Sequence, residues 1–354
     1  MFMTMKQPIR ERLEDDERKT LSPFAQLSSA TKGRARPEPP DPMRPAYQLD
    51  RDRIIHCKAF RRLAGKTQVF LAPEGDHYRT RITHTLEVAQ FARSVTKFLG
   101  LNEMLTEAIV MGHDLGHTPF GHAGEKVLAK LMPDGFHHVK QSLRVVEVLE
   151  REGRGLNLSQ EVKDGILKHS KGKGHIIADN QNLMAMTLEG QIVRISDIVA
   201  YVNHDLDDAV RGRVVNPEDV PRGLLDTLGA THGDRIARMV GDMVSASRLD
   251  EKRQIRMSEE ILGALIALRD FLYEAVYERA EIRNEFEKAQ RIISELWAYF
   301  HAHPDEFHAK HWPKGVPESD GLSRAIADFI TGMTDRYALR VYEEYFLPQK
   351  WPVY

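Results

Sequence analysis

The chain has 354 residues, enough for one large or two ordinary domains, and its 42% apolar and 29% charged content excludes a disordered chain. A net charge of −2 removes any global electrostatic case for nucleic acid or a membrane surface, and a single cysteine, Cys57, excludes a disulfide framework or a cysteine-rich zinc site. The start MFMTMKQPIRERLEDDERKT carries no signal peptide pattern and no apolar run approaches eighteen residues, so the expectation is a soluble cytoplasmic protein.

Residues 1–49 read as a partly extended N-terminal arm. Its stretch RPEPPDPMRP (Arg36–Pro45) has five prolines in ten residues, which forbids helix there. Such an arm wraps over a neighbouring subunit or stays mobile. Residues 50–215 form the expected core, and 216–354 a helical region packed on it. KTQVFLA (Lys66–Ala72) is the best candidate for a short extended piece. In RITHTLEVAQFARSVTKFLGL the apolar positions Leu86, Val88, Ala89, Phe91, Ala92, Val95 and Leu99 recur mainly at three- and four-residue steps, and Gly100 supplies a stop. NEMLTEAIVMGHDLG, VKQSLRVVEVLERE, SQEVKDGILKHS and LEGQIVRISDIVAYVNHDLDDAV predict four further helices. SEEILGALIALRDFLYEAVYERAEIRNEFEKAQRIISELWAYF predicts one or two long ones. The class is mainly α, with no internal repeat.

Chemistry concentrates in HDLGHTPFGHAGE, His113–Glu125. Neighbouring helical residues point about 100° apart, so His113 and Asp114 can aim at one cation only if a helix ends there. Gly116, Pro119 and Gly121 supply that end. Imidazole plus carboxylate suits Mn²⁺, Mg²⁺, Fe²⁺, Co²⁺, Ni²⁺ or Zn²⁺. An HD dipeptide alone is commonplace. Two more residues raise its weight: His84 near the start of an amphipathic helix, and Asp197 inside an apolar one, where an unpaired carboxylate is costly. The bland alternative pairs Asp197 with Arg194 or Arg81. His122 and Glu125 stand three apart on one helix face, a spacing that suits a carboxylate-tuned general acid or base, or equally an exposed surface pair. His117, four after His113, fits a phosphate-binding shell or a second metal position. Of the basic run Arg51, Arg53, Lys58, Arg61, Arg62 and Lys66, most members read as solvated surface. Lys168 and His169 are weaker candidates. Cys57 reads as a small buried apolar residue, and the Ile261–Val276 stripe as core.

Taken together, FRRLAGKTQVF, RITHTLEVAQ, HDLGHTPFGHAGE, QSLRVVE, ILKHS, RISDIVAYVNHDLDDA and FITGMTDRYAL resemble the successive motifs of the HD-domain phosphohydrolases. More narrowly they resemble those of the bacterial deoxyguanosinetriphosphate triphosphohydrolase-like proteins. The resemblance implies a multi-helix HD-domain fold and a divalent metal held by His84, His113, Asp114 and Asp197. It puts the catalytic pair on His122 and Glu125, and phosphate contacts on Arg81, His117 and His138; Arg62, from the basic run, is a further substrate-binding candidate. Tyr201 and Asp205 match sugar-facing residues of the related SAM- and HD-domain dNTP hydrolases. Phe136-His137-His138-Val139 departs from the FEHN expected before the QSLR helix. The long insertions of the larger dGTP-specific enzymes are missing, which weakens the case for strict guanine preference.

The implied reaction is hydrolysis of a dNTP at the α-phosphorus, giving deoxynucleoside and tripolyphosphate, with His122 protonating the 5′ oxygen. The implied partners are a dNTP substrate, a dNTP activator at a subunit interface, further copies of the chain in a tetramer or hexamer, and single-stranded DNA as an unproven ligand. The alternatives are an HD-type 5′-nucleotidase or phosphodiesterase, and a regulatory nucleotide- or single-stranded-DNA-binding protein.

Overall fold

In the computed structural model, residues 8–68, 79–170, 176–177, 181–247, 249 and 253–348 are described. They are helical throughout apart from loops and two isolated bridges, one of which pairs Thr67 with Thr80. The expected extended piece at Lys66–Ala72 is therefore represented by that single bridge; Val69–Ala72 lie outside the described residues.

The helices that carry the HD motifs begin on side-chain caps. Asn102 accepts from the amides of Met104 (3.1 Å) and Leu105 (3.2 Å) to start Glu103–His113. Thr187 accepts from Gly190 (3.1 Å) to start Leu188–Arg211. Arg81–Phe98 follows Thr80, whose amide donates to Thr83 Oγ1 at 3.0 Å. Gly100, in the left-handed region at φ 67°, closes that helix as its sequence suggests. The 24-residue Leu188–Arg211 helix is buried on most of its circumference and packs against Arg81–Phe98, Glu103–His113 and Gln160–Lys168. Such all-round burial explains its run of apolar residues.

Two sequence expectations change, and a third, left open between one helix and two, is resolved. Leu86 belongs to the apolar pattern but is 54% exposed, because the buried face is carried by Thr85, Val88, Ala89, Ala92 and Val95. VKQSLRVVEVLERE is not one helix: it runs from His138 to Arg144, widens into a π-helical turn at Val145–Leu149, and breaks where Arg151 and Glu152 take positive φ. The long C-terminal stretch is two helices, Glu259–Leu272 and Ala280–Ala302, divided by a π-helical turn at Tyr273–Tyr277.

The N-terminal segment lies along its own chain. It contains a helix at Ile9–Thr20, and beyond it three buried acids take its polar groups. Glu189 accepts from the amide of Gln26 at 3.0 Å, Glu161 from that of Lys32 at 2.6 Å, and Asp50 pairs with Arg34. Carboxylates accepting backbone N–H groups make strong, directional clamps.

Two apolar clusters build the interior. The larger joins the HD-motif helices to the Arg222–Leu228, His232–Ala246 and Glu259–Leu272 helices. The smaller joins His122–Leu131 to Ala280–Ala302, Leu322–Thr331 and Asp335–Phe346, around Trp297, Phe300 and Phe307. The aromatic-rich end thus docks on the body through Ala338 and Val341. Cys57 is buried and caps a short helix by accepting from the amide of Phe60. Among the described residues, no helix is long and apolar enough to cross a membrane.

Candidate metal centre and adjoining pocket

Three helices converge on one point. His84 stands in the first turn of Arg81–Phe98, His113 ends Glu103–His113 with Asp114 as its C-cap, and Asp197 sits mid-way along Leu188–Arg211. His84 Nε2 lies 3.0 Å from Asp197 Oδ1 and 4.0 Å from Asp114 Oδ2; His113 Nε2 lies 3.3 Å from Asp114 Oδ1 and 3.7 Å from Asp197 Oδ1. At a metal–ligand bond of about 2.1 Å, octahedral neighbours stand ~3.0 Å apart and opposites ~4.2 Å. The four donors span that range. His113 Nδ1 donates to the Val110 carbonyl at 2.6 Å, which fixes the ring and leaves the buried Nε2 without a hydrogen-bond partner. An orphaned imidazole nitrogen among two carboxylates fits a divalent cation.

The charges agree. Burial alone would depress His113, but Asp114 and Asp197 outweigh it and push the ring up to about 9. Burial would raise both carboxyls, yet the surrounding histidines, and for Asp114 also Arg81, hold them below the usual carboxylate range. The site demands positive charge. The alternative partners of Asp197 are engaged elsewhere: Arg194 donates to the carbonyls of Ile176 (3.1 Å) and Lys168 (3.2 Å), and Arg81 Nη1 donates to Asp114 Oδ2 at 2.9 Å.

The HDLGHTPFGHAGE loop forms the adjoining wall. Gly116 makes this possible, since a Cβ there would stand 2.1 Å from the Ser142 amide nitrogen. Its own amide donates to Ser142 Oγ (2.9 Å), which donates in turn to the His113 carbonyl (2.6 Å). That approach carries His138 onto His117, their rings stacked at 4.1 Å and 13°. Gly121, at φ 52°, leaves room for Arg81 Nη2. Glu125 takes His117 Nδ1 on one oxygen and His138 Nδ1 on the other at 3.2 Å. Burial would raise this carboxyl, but the two histidines keep it well below its ordinary value. His117 Nε2 also reaches Asp114 Oδ1 at 3.0 Å. His122 differs from these: its side chain is 74% exposed, with Nδ1 4.0 Å from Glu125 Oε2.

Further along the Leu188–Arg211 helix, Tyr201 is half-buried and Asp205 buried, its Oδ2 accepting from the Tyr277 hydroxyl. Arg62 is exposed on the short Lys58–Arg62 helix, with Nη1 close to Gly332.

Residues 81–202 match the HD domain and residues 255–344 the phosphohydrolase-associated domain. Over 343 residues, 97% of both chains, the sequence is 54% identical to a deoxyguanosinetriphosphate triphosphohydrolase-like protein of Caldanaerobacter subterraneus subsp. tengcongensis. Proteins of the same name from Desulfatibacillum aliphaticivorans (50%, covering 96% of this chain and 98% of that one) and Geobacter sulfurreducens (38%, 94% and 96%) are also similar. The chain belongs to the HD-domain family of deoxyguanosinetriphosphate triphosphohydrolase-like proteins. It is accordingly a metal-dependent phosphohydrolase.

Membership in this HD-domain family frames what sequence reasoning missed. Tyr277, 72 positions beyond Asp205, lies in the phosphohydrolase-associated region and offers no local signal. Lys66, read only as part of a basic run, is buried and donates to the carbonyls of His117 and Thr331, which ties the loop to the second apolar cluster. Asp335 does the same by accepting from the Phe120 amide at 2.9 Å and the Thr67 amide at 2.9 Å. His169, a weak candidate in ILKHS, stands edge-on to His113 at 4.9 Å and is buried. His204, given no role within RISDIVAYVNHDLDDA, lies against His84, Nδ1 to Nδ1, at 3.4 Å.

Proposed function

We propose that the enzyme hydrolyses deoxynucleoside triphosphates at the α-phosphorus to a deoxynucleoside and tripolyphosphate. The observation that carries this reading is the juxtaposition, along one wall, of the His84/His113/Asp114/Asp197 donor set and the Glu125-centred histidines. Similarity over almost the whole chain to proteins named as triphosphohydrolase-like supports it. A nucleotidase or phosphodiesterase would use the same cation, and a pure binder would need no proton donor beside it.

A divalent cation in this site supplies charge neutralisation at a phosphoryl oxygen and a lowered pKa for a coordinated water. Arg81, oriented by Asp114, presents its remaining N–H groups to the phosphates. His138, held by Glu125 through Nδ1, keeps Nε2 for the phosphates on the same side, while His117 bridges Glu125 and Asp114 and positions both. As water oxygen bonds to the α-phosphorus and the P–O5′ bond breaks, the 5′ oxygen takes a proton from His122. That ring is the one member of the cluster open to solvent and not already held by a carboxylate at close range. Burial of its nitrogens and the nearby His117, Arg81 and His138 hold it down to about 4 in the free protein, so the negative triphosphate must raise it before it can donate. Asp205, Tyr201 and Tyr277 form the sugar-facing side.

The test is to incubate metal-stripped enzyme plus Mn²⁺ with each dNTP, singly and mixed, and follow products by phosphorus NMR. Tripolyphosphate is expected; orthophosphate or pyrophosphate overturns the reading. Replacing His122 by Ala should lower turnover by about 10²- to 10⁴-fold with Mn²⁺ binding unchanged. A loss below tenfold would move the proton donor to His138.

A further inference from the structure

A metal-binding imidazole has one nitrogen for the cation and one N–H to place, and where that N–H goes fixes the tautomer. For His113 the answer is the Val110 carbonyl. For His84 no carbonyl or carboxylate among the described residues is in that position. Its Nε2 faces Asp197, so Nδ1 must carry the hydrogen, and Nδ1 faces His204 Nδ1 at 3.4 Å. A neutral imidazole has one acceptor and one donor. If His204 accepts on Nδ1, its hydrogen sits on Nε2, which lies 2.9 Å from Glu87 Oε2. Glu87 stands one turn after His84 on the same helix, and Arg79 Nε holds its carboxylate at 3.1 Å while Arg79 Nη1 holds Asp208 at 2.8 Å. The His204 ring is fully buried, packed between Phe91 (6.3 Å) and a nearly parallel His232 ring (6.0 Å).

We propose that Glu87 and His204 form a relay that fixes the tautomer of His84 and thereby sets how tightly the site holds its divalent cation. The relay runs from the exposed side of the helix inward: Arg79 orients Glu87, Glu87 Oε2 stands 2.9 Å from His204 Nε2 as a charge partner without hydrogen-bond alignment, and His204 accepts from His84. Both are positioning residues, since neither faces the substrate pocket. The inference rests on the metal reading of His84, His113, Asp114 and Asp197.

Four variants and the wild type, stripped of metal, are titrated with Mn²⁺ alone, with free Mn²⁺ read by electron paramagnetic resonance and apo-protein melting followed in parallel. His204→Leu keeps the bulk but removes the acceptor, and should weaken Mn²⁺ binding by about 10- to 100-fold. His204→Asn keeps an acceptor near the Nδ1 position and should restore most of the affinity, which a space-filling role would not explain. Glu87→Ala should weaken binding in the same direction, and it carries the test if His204→Leu does not fold. His84→Ala separates the two levels. If it loses Mn²⁺ while His204→Leu and Glu87→Ala bind like wild type, the relay is overturned and the metal centre stands. If wild type binds no Mn²⁺, or His84→Ala binds it as well as wild type, the metal reading falls and the relay with it.

Discussion

Asp205 is a carboxyl the fold has paid to bury. It is 2% exposed, one oxygen makes no hydrogen bond among the described residues, and the other accepts only from the Tyr277 hydroxyl. Burial pushes its pKa up to about 7, and the Tyr277 hydrogen bond offsets that only in part. An unfolded aspartate titrates near 3.9 and each unit is worth about 1.4 kcal/mol, so ionised Asp205 costs the native state roughly 4 kcal/mol as an upper bound. The sign follows from proton counts: between about pH 4 and 7 the native protein binds more protons than the unfolded chain, so stability falls as pH rises. Asp205→Asn removes that dependence while its amide oxygen still accepts from Tyr277. Relative to wild type, its stability advantage should be near zero at pH 4 and grow by up to about 1.4 kcal/mol per unit to a plateau above pH 7. Urea unfolding of both metal-free proteins at pH 5, 6, 7 and 8 measures it. A difference that does not change with pH would refute the reasoning. Under the proposed function the same variant should turn over more slowly, with stability and activity moving in opposite directions.

Gly116→Ala forces a Cβ to within 2.1 Å of the Ser142 amide nitrogen, a backbone atom that cannot swing away. It should destabilise the protein by about 1–3 kcal/mol or more and separate His138 from His117, measured by urea unfolding and by turnover; wild-type stability would show that the two segments are not pressed together. Mn²⁺ affinity should rise with pH from 6 to 8, because His113 is held protonated up to about 9 and the cation must displace that proton. The limit is about tenfold per unit for one proton displaced, and a flat titration profile would mean that His113 is already neutral in the free protein.

How much of this was legible in the sequence depends on distance along the chain. Helix positions were readable because apolar spacing and the Gly100 stop are local; the caps on Asn102 and Thr187, which the structure adds, obey the same local chemistry. The π-helical turns at Val145–Leu149 and Tyr273–Tyr277 were not, since one extra residue in a turn leaves apolar periodicity almost intact. Leu86 failed for a related reason: a three- or four-residue step allows two neighbouring faces, and only packing selects one. The candidate donors were visible because His113 and Asp114 are adjacent at a helix end and because Asp197 is conspicuous in an apolar helix, and the fold brings them together with His84.

What the sequence hid are the contacts that make those donors usable, and they share one feature. Lys66 reaches Thr331 across 265 positions, Phe120 reaches Asp335 across 215, and Asp205 meets Tyr277 across 72. Each joins the HD-motif helices to the C-terminal ones. The His122–Leu131 helix shows why these links matter: its first turn carries His122 and Glu125 into the pocket, while Ala123, Val127 and Leu128 are buried in the smaller cluster with Ala289, Ile293 and Phe300. The donor set is therefore fixed by the larger apolar cluster and the Glu125 wall by the smaller one. The separation of the His84/His113/Asp114/Asp197 cluster from the Glu125 wall is then a property of how the two apolar clusters pack, with Lys66 and Asp335 as the polar ties that hold it. Residues far beyond the HD motif thus fix the geometry of the site; Lys66, Thr331 and Asp335 lie within the recognised FRRLAGKTQVF and FITGMTDRYAL segments, but which partner each would meet could not be read from the linear pattern.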